Sequence, residues 1–227
     1  MFFQVLNKIF QIKQSLWLLP YKIRSKRKIA AYLKENADCV RVNVGSGSNP
    51  LSGWLNGELW PSKETVCIDA SKRLPFKDDS VHCINCEYLL EHLGYKTCQD
   101  FLKECFRVLR EGGVLRASTP GLGKLIQIYL GSSQLSSEKV LVYHRQRYNP
   151  TVENMCEWFN DHMRLWGHKF IFDEPTLVEL LRKAGFSRMI RCEYGKSEHL
   201  ELQGIERRDE GIEWMKWAYV MIFEAYK

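Results

Sequence analysis

Apolar residues recur along this 227-residue chain with two different periods. Short runs at Val42-Asn43-Val44, Val66-Cys67-Ile68, Val81 to Asn85 and Val114 to Ser118 have the length and β-branched content of buried strands. Between the last two, Thr97 to Leu109 sets Phe101, Leu102, Cys105, Phe106 and Leu109 on one helical face, and Gly112-Gly113 is expected to stop that helix. Glu174 to Ala184 reads as another helix with Gly185 as its stop, and Ser187 to Tyr194 and Ala218 to Tyr226 read as closing strands. Strands alternating with helices predict an α/β sheet wound on both faces.

Two stretches break the alternation. Residues 121–172 are rich in His, Trp, Tyr, Asn and Arg, and a polar-aromatic excursion of that length is expected to be a lid or substrate-specificity insertion rather than another core layer. At the other end, Phe2, Phe3, Leu6, Ile9, Phe10, Leu16 and Trp17 follow helical spacing up to Pro20, and a second helix is expected from about Ile23 to Lys34. The division is thus a basic helical segment, 1–36, and a main domain, 37–227. Only ten residues separate Gly47 from Glu58, with Pro50 and Gly53 among them, too few for a full crossover helix. A short turn or irregular loop is expected there.

Charge sharpens this division. The net +6 is concentrated: residues 1–36 carry eight Lys or Arg against Glu35 alone, a net +7, leaving 25 bases and 26 acids elsewhere. The segment either packs on the sheet edge or makes peripheral contact with an anionic membrane leaflet. Lys8 and Lys13 interrupt its apolar run, unlike a signal peptide. A near-neutral main domain argues against nucleic acid as a partner. No run of 18 apolar residues occurs, so no transmembrane helix is expected. Eight scattered cysteines read as free thiols in a reducing cytoplasm, the Cys-x-x-Cys spacing of Cys83 and Cys86 notwithstanding, since a strand points those two to opposite faces.

The chemistry-bearing residues fall at strand ends in a fixed order. Val42-Asn43-Val44 stops in Gly45-Ser46-Gly47, then come Gly53-Trp54-Leu55-Asn56, Glu58, Asp69-Ala70 after Val66-Cys67-Ile68, Leu74-Pro75-Phe76, Leu89-Leu90-Glu91-His92-Leu93 and Gly112-Gly113-Val114-Leu115. A nicotinamide-binding fingerprint wants a third glycine, a helix and an acid about 20 residues on, and the spacing here does not supply them. The series resembles the class I S-adenosylmethionine-dependent methyltransferases, and within them a bacterial branch whose glycine loop runs on into Gly-Trp-Leu-Asn. That resemblance implies a Rossmann-like, doubly wound, mostly parallel seven-stranded sheet, with the helical insertion after the fifth strand. It implies S-adenosylmethionine as cofactor, with Gly45, Ser46 and Gly47 under its methionyl part, Glu58 on the ribose hydroxyls, and Asp69 with Ala70 at the adenine. Asn43 stands where many members carry an acid that reaches the cofactor's amino group.

Methyl transfer is an in-line displacement in which positioning supplies much of the rate. A base is needed only when the acceptor must lose a proton. His92, after the fourth strand, is the first candidate, and His168, where the insertion returns to the sheet, is the second. Glu87, Glu91 and His92 lie at loose spacing, and no metal is expected. The branch resembled often accompanies cell-surface polysaccharide synthesis, so a small-molecule or glycan acceptor, a sugar hydroxyl first, is expected of a cytoplasmic enzyme. Two alternatives stand beside it: a non-catalytic cofactor-binding scaffold, and an aminopropyl transferase on the same fold. The latter wants an acidic acceptor cleft, and the insertion is mixed in charge.

Overall fold

The computed structural model describes residues 19–207, 214 and 218–227. The helix expected over the first 17 residues lies outside them. The described chain opens in α1 (Leu19–Glu35), which takes in the helix expected from about Ile23 to Lys34. The strands are β1 (Arg41–Val44), β2 (Leu55–Glu58), β3 (Val66–Cys67), β4 (Val81–Glu87), β5 (Leu109–Pro120), β6 (Arg188–Cys192) and β7 (Val220–Tyr226). They form one seven-stranded sheet in the order β3-β2-β1-β4-β5-β7-β6. β7 alone runs antiparallel to its neighbours. Strand order reverses at β1, so β1 and β4 flank the switch point where an open α/β sheet leaves a crevice at its carboxyl ends.

The central strands are buried along their length because helices cover both faces. α2 (Tyr95–Val108) and α6 (Glu174–Ala184) turn Phe101, Leu102, Cys105, Leu177, Leu180 and Leu181 into one core with Val42, Val44, Ile84 and Leu115. Gly185 ends α6 in the left-handed conformation, with φ 118°. α1 packs on the β3 edge, where the buried Ser25 hydroxyl accepts the Cys67 N–H at 2.7 Å. That bond satisfies an edge donor that would otherwise have no ladder partner. The eight cysteines are free, and burial pushes the Cys83 thiol up to about 12.

Two expectations need correction. α2 does not run to the glycine pair: Asp79 and Ser80 donate to the carbonyls of Arg107 and Val108, ending the helix, and Leu109 already pairs with Val81 as strand. Gly112, at φ 72°, instead shapes the start of β5, where its N–H meets the Lys227 carbonyl. The insertion is also more than a lid. α3 (Leu122–Tyr129), α4 (Ser137–Arg147) and α5 (Met155–Arg164) bury Leu125, Ile128, Val140, Val152 and Trp158 against Val220 and Ile222 of β7. It leaves and rejoins the sheet at one place, since Gly121 bridges Phe172 and Leu122 donates to the Phe172 carbonyl at 2.8 Å. The polar residues that made this stretch look peripheral lie beside a buried aromatic layer.

Candidate active site

β1 ends at Val44 because Gly45 takes φ 73°, a conformation a side chain would strain. A Cβ there would also come within 2.9 Å of Leu89. The loop to β2 is irregular, as its length requires, and three amides hold it. Asn43, Asn56 and Asn85 lie in register on β1, β2 and β4. Asn85 donates to the Asn43 oxygen and Asn43 donates to the Asn56 oxygen, both at 3.0 Å. Asn56 in turn accepts from Leu51 N at 2.7 Å and donates to the carbonyls of Leu51 and Trp54. This row ties the loop to three buried strands.

Beyond it, a cavity of about 460 Å³ opens at the carboxyl ends of the strands, within the roughly 300–1,000 Å³ usual for small-molecule sites. Val44 and Gly45 line it from β1, Glu58 and Leu59 from β2, Ile68 to Ser71 after β3, and Tyr88, Leu89, His92 and Leu93 after β4. Gly167 and Lys169 close it from the end of the insertion. Glu58 is the hinge of the polar wall. One carboxylate oxygen accepts the Gly47 N–H at 2.9 Å and the other the Leu59 N–H at 2.8 Å. A carboxylate has about four acceptor positions, so two remain for a ligand. Asp69 uses Oδ1 to cap its own turn through Ser71 N and Oγ, at 2.9 and 2.6 Å. Its side chain both shapes the loop and lines the cavity. Ala70 beside it is buried and small. Ser46 Oγ is buried with no hydrogen-bond partner, a polar atom in the glycine loop that a ligand would satisfy.

Gly45, Glu58, Asp69, Ala70 and His92 therefore all face one cavity, with Ser46 and Gly47 in the loop behind it. Asn43 does not line it: both ends of its amide are engaged in the sheet, and its place in the candidate set is structural. Of the histidines in the insertion, His144 and His162 are buried in its own core, His144 against Asp161 at 2.8 Å. Burial pulls His162 down to about 4. His168 comes instead beside His92, ring centroids 5.0 Å apart and nearly perpendicular. Its Nδ1 lies 2.7 Å from the His162 carbonyl, so Nδ1 carries the proton and donates it, leaving the lone pair on Nε2. Partial burial lowers its pKa, which favours that neutral ring.

Sequence reasoning missed Tyr88, Leu89 and Lys169. Tyr88 sits at φ 50°, a strained backbone for an aromatic residue, at the end of β4 where strain collects in functional sites. Only the Glu-Tyr-Leu-Leu-Glu-His order at the strand end pointed to that neighbourhood. Glu87 turns elsewhere and accepts from Arg207 N at 3.0 Å, so it takes no part with Glu91 and His92.

Residues 29–117 match the model of a methyltransferase domain, a stretch that carries β1 to β4 and most of β5. No curated protein matches the sequence. Among solved structures, an S-adenosylmethionine-dependent methyltransferase from Mesorhizobium loti aligns at 15% identity over 88% of this chain and 96% of its own, with a TM-score of 0.50. Methyltransferases from Thermotoga maritima and Archaeoglobus fulgidus align at 19% and 14% identity, each over 96% of this chain and 96% and 99% of theirs, with TM-scores of 0.46 and 0.48. The domain match covers the strands that build the cavity, and the sheet, whose last strand alone is reversed, has the Rossmann-like fold expected from the sequence's resemblance to the class I S-adenosylmethionine-dependent methyltransferases.

Proposed function

We propose that this methyltransferase acts on a hydroxyl group of a small-molecule or glycan acceptor, a sugar hydroxyl of cell-surface polysaccharide synthesis being the first choice. The carrying observation is the meeting of His92, which lines the cavity, with His168, whose chain neighbours Gly167 and Lys169 line it where the insertion returns. A neutral amine attacks without first losing a proton, whereas a hydroxyl must give one up. The Gly53-Trp54-Leu55-Asn56 segment supports the glycan choice through the bacterial branch it resembles.

The cavity wall supports an assignment of roles. Glu58 holds the two ribose hydroxyls with its remaining acceptor positions, and Asp69 with Ala70 and Ile68 bounds the adenine. Gly45 to Gly47 brings backbone and the Ser46 hydroxyl up to the methionyl part. When bound, S-adenosylmethionine supplies a methyl group on a sulfonium, ready for in-line displacement. His92 and His168 then orient the acceptor and handle its proton, worth typically 10²- to 10⁴-fold.

The test is transfer of labelled methyl from S-adenosylmethionine to a panel of nucleotide sugars, free sugars and amines. A methyl ether product is expected, with turnover lowered about 10²- to 10⁴-fold by His92→Ala or His168→Ala and cofactor binding retained. Labelling of amines alone would overturn the reading.

A second proposal concerns the N-terminus. Residues 1–28 lie on an anionic membrane surface, supported by Leu19 and Ile23, about half exposed on α1 among Lys22, Arg24, Lys26 and Arg27. No helix among the described residues is long and apolar enough to cross a membrane.

A further inference from the structure

The pair of histidines has a third neighbour that the acceptor reading does not use. Glu91, His92 and His168 each bring one ligand-capable atom, a carboxylate oxygen or a ring nitrogen, to a common spot where all three lie within 4.8 Å of one another. The grouping is built rather than incidental. Lys169 N and Phe170 N both donate to the Glu91 carbonyl, at 2.7 and 3.2 Å, which fixes the segment bearing His168 against the turn bearing Glu91 and His92. Each flank is also oriented from behind. His168 gives its Nδ1 proton to the His162 carbonyl and so turns the Nε2 lone pair outward, while Glu91 Oε2 accepts the Thr119 hydroxyl at 3.0 Å. Backing hydrogen bonds of this kind fix ring tautomer and carboxylate direction at metal sites.

We propose that Glu91, His92 and His168 bind one divalent transition-metal ion at the acceptor side of the cavity. Two imidazoles and a carboxylate suit a borderline first-row cation, and three protein ligands leave positions open for water or substrate. Glu91 is fully buried, so a cation bound to its carboxylate would interact with it in a poorly screened setting. His92 lines the cavity, which puts the open positions where an acceptor oxygen would arrive. For its role, though not for the binding itself, the inference rests on the hydroxyl-acceptor reading. With both imidazoles bound to it, the cation takes over the proton handling assigned to them above by lowering the pKa of the hydroxyl. The proton leaves to solvent, the oxygen forms its bond to the methyl carbon, and the electron pair of the broken carbon–sulfur bond stays on sulfur as a neutral thioether.

The probe is Co²⁺ added to chelator-treated full-length protein and followed by its visible spectrum. Expected are one Co²⁺ per chain, bands of nitrogen and oxygen ligation, and affinity at least 10-fold weaker in both Glu91→Gln and His168→Ala. Both variants should keep the thermal shift produced by S-adenosylmethionine, which shows them folded. A thiolate-to-cobalt charge-transfer band, substoichiometric binding, or unchanged affinity in the folded variants overturns the site. Turnover separates the two readings. Hydroxyl methylation at full rate in excess chelator removes the metal and leaves the acceptor reading standing. Stoichiometric Co²⁺ at this cluster with amines alone methylated does the reverse.

Discussion

At the scale of single residues, position and environment part company at Asn43 and Glu58. Both stand where the family resemblance expects cofactor contacts, yet one is held in a row of sheet amides and the other faces the cavity. Sequence order locates a strand end; it does not say which of two faces a side chain takes, because neighbouring strands decide whether its hydrogen bonds are already met. The amide row itself was illegible for the same reason, since Asn56 and Asn85 become partners of Asn43 only through register. Glu58→Ala should weaken S-adenosylmethionine binding by about 1.5–3 kcal/mol, the scale of hydrogen bonds to a charged group, and also free the Gly47 and Leu59 N–H groups. Gly47→Val should abolish binding for a different reason from the one its sequence position suggests. Gly47 is exposed and outside the cavity wall, but its φ of 55° excludes a β-branched side chain, and its N–H holds Glu58. Both are read from the cofactor's thermal shift, about 2.7 kcal/mol for wild type at 100 times its dissociation constant. A full wild-type shift in Gly47→Val would show that the loop's left-handed turn is dispensable.

At the scale of elements, the alternation of β and α was legible because burial imposes it on the residues: Val42, Val44, Ile84 and Leu115 are almost fully enclosed. What escaped was polar. Arg116 lies in the middle of β5, fully buried, in a run that reads as an ordinary strand. Its Nε bonds Glu206 at 2.5 Å and its Nη1 bonds Glu224 of β7 at 2.6 Å, with the Lys196 carbonyl at 3.0 Å. Burial works against the charged guanidinium, but the two carboxylates outweigh it and hold its pKa above the ordinary value. Glu224 is further fixed by the Tyr226 hydroxyl at 2.8 Å, and Glu206 by Gly195 N at 3.0 Å. Two pieces of chain outside the sheet, residues 193–196 and Glu206, are thereby clamped to β5 and β7. Arg116→Met should cost about 3–5 kcal/mol, because it strands two buried carboxylates without a counter-charge. The measurement is a urea midpoint at unchanged m-value. Adding Glu206→Gln and Glu224→Gln should recover part of the loss; a single Arg116→Met variant as stable as wild type would mean that the cluster contributes specificity alone.

At the scale of the molecule, charge and function are segregated. The main domain is close to neutral, residues 1–36 carry the net +7, and the described part of that segment, α1, packs at the β3 edge of the sheet. Packing and membrane contact, alternatives in the sequence, are not rivals for α1. Its inward side is spent on Ser25 and Ile29, with Tyr32 and Leu33 partly covered, and its outward side keeps Leu19 and Ile23 beside four exposed cations. Each basic residue near an anionic leaflet contributes about 1 kcal/mol, and the attraction fades as the Debye length shrinks from about 10 Å at 0.1 M salt to about 3 Å at 1 M. Full-length protein should therefore co-sediment with phosphatidylserine-containing vesicles at low salt and release at high salt. Combining Lys22→Glu with Lys26→Glu lies wholly on exposed positions, so the fold should hold while vesicle binding falls by more than tenfold. Apolar insertion is tested apart from charge by Ile23→Ser, expected to weaken binding at high and low salt alike. If the double charge reversal pellets as wild type does, the basic segment serves the fold or another partner, and the enzyme meets its acceptor away from the membrane.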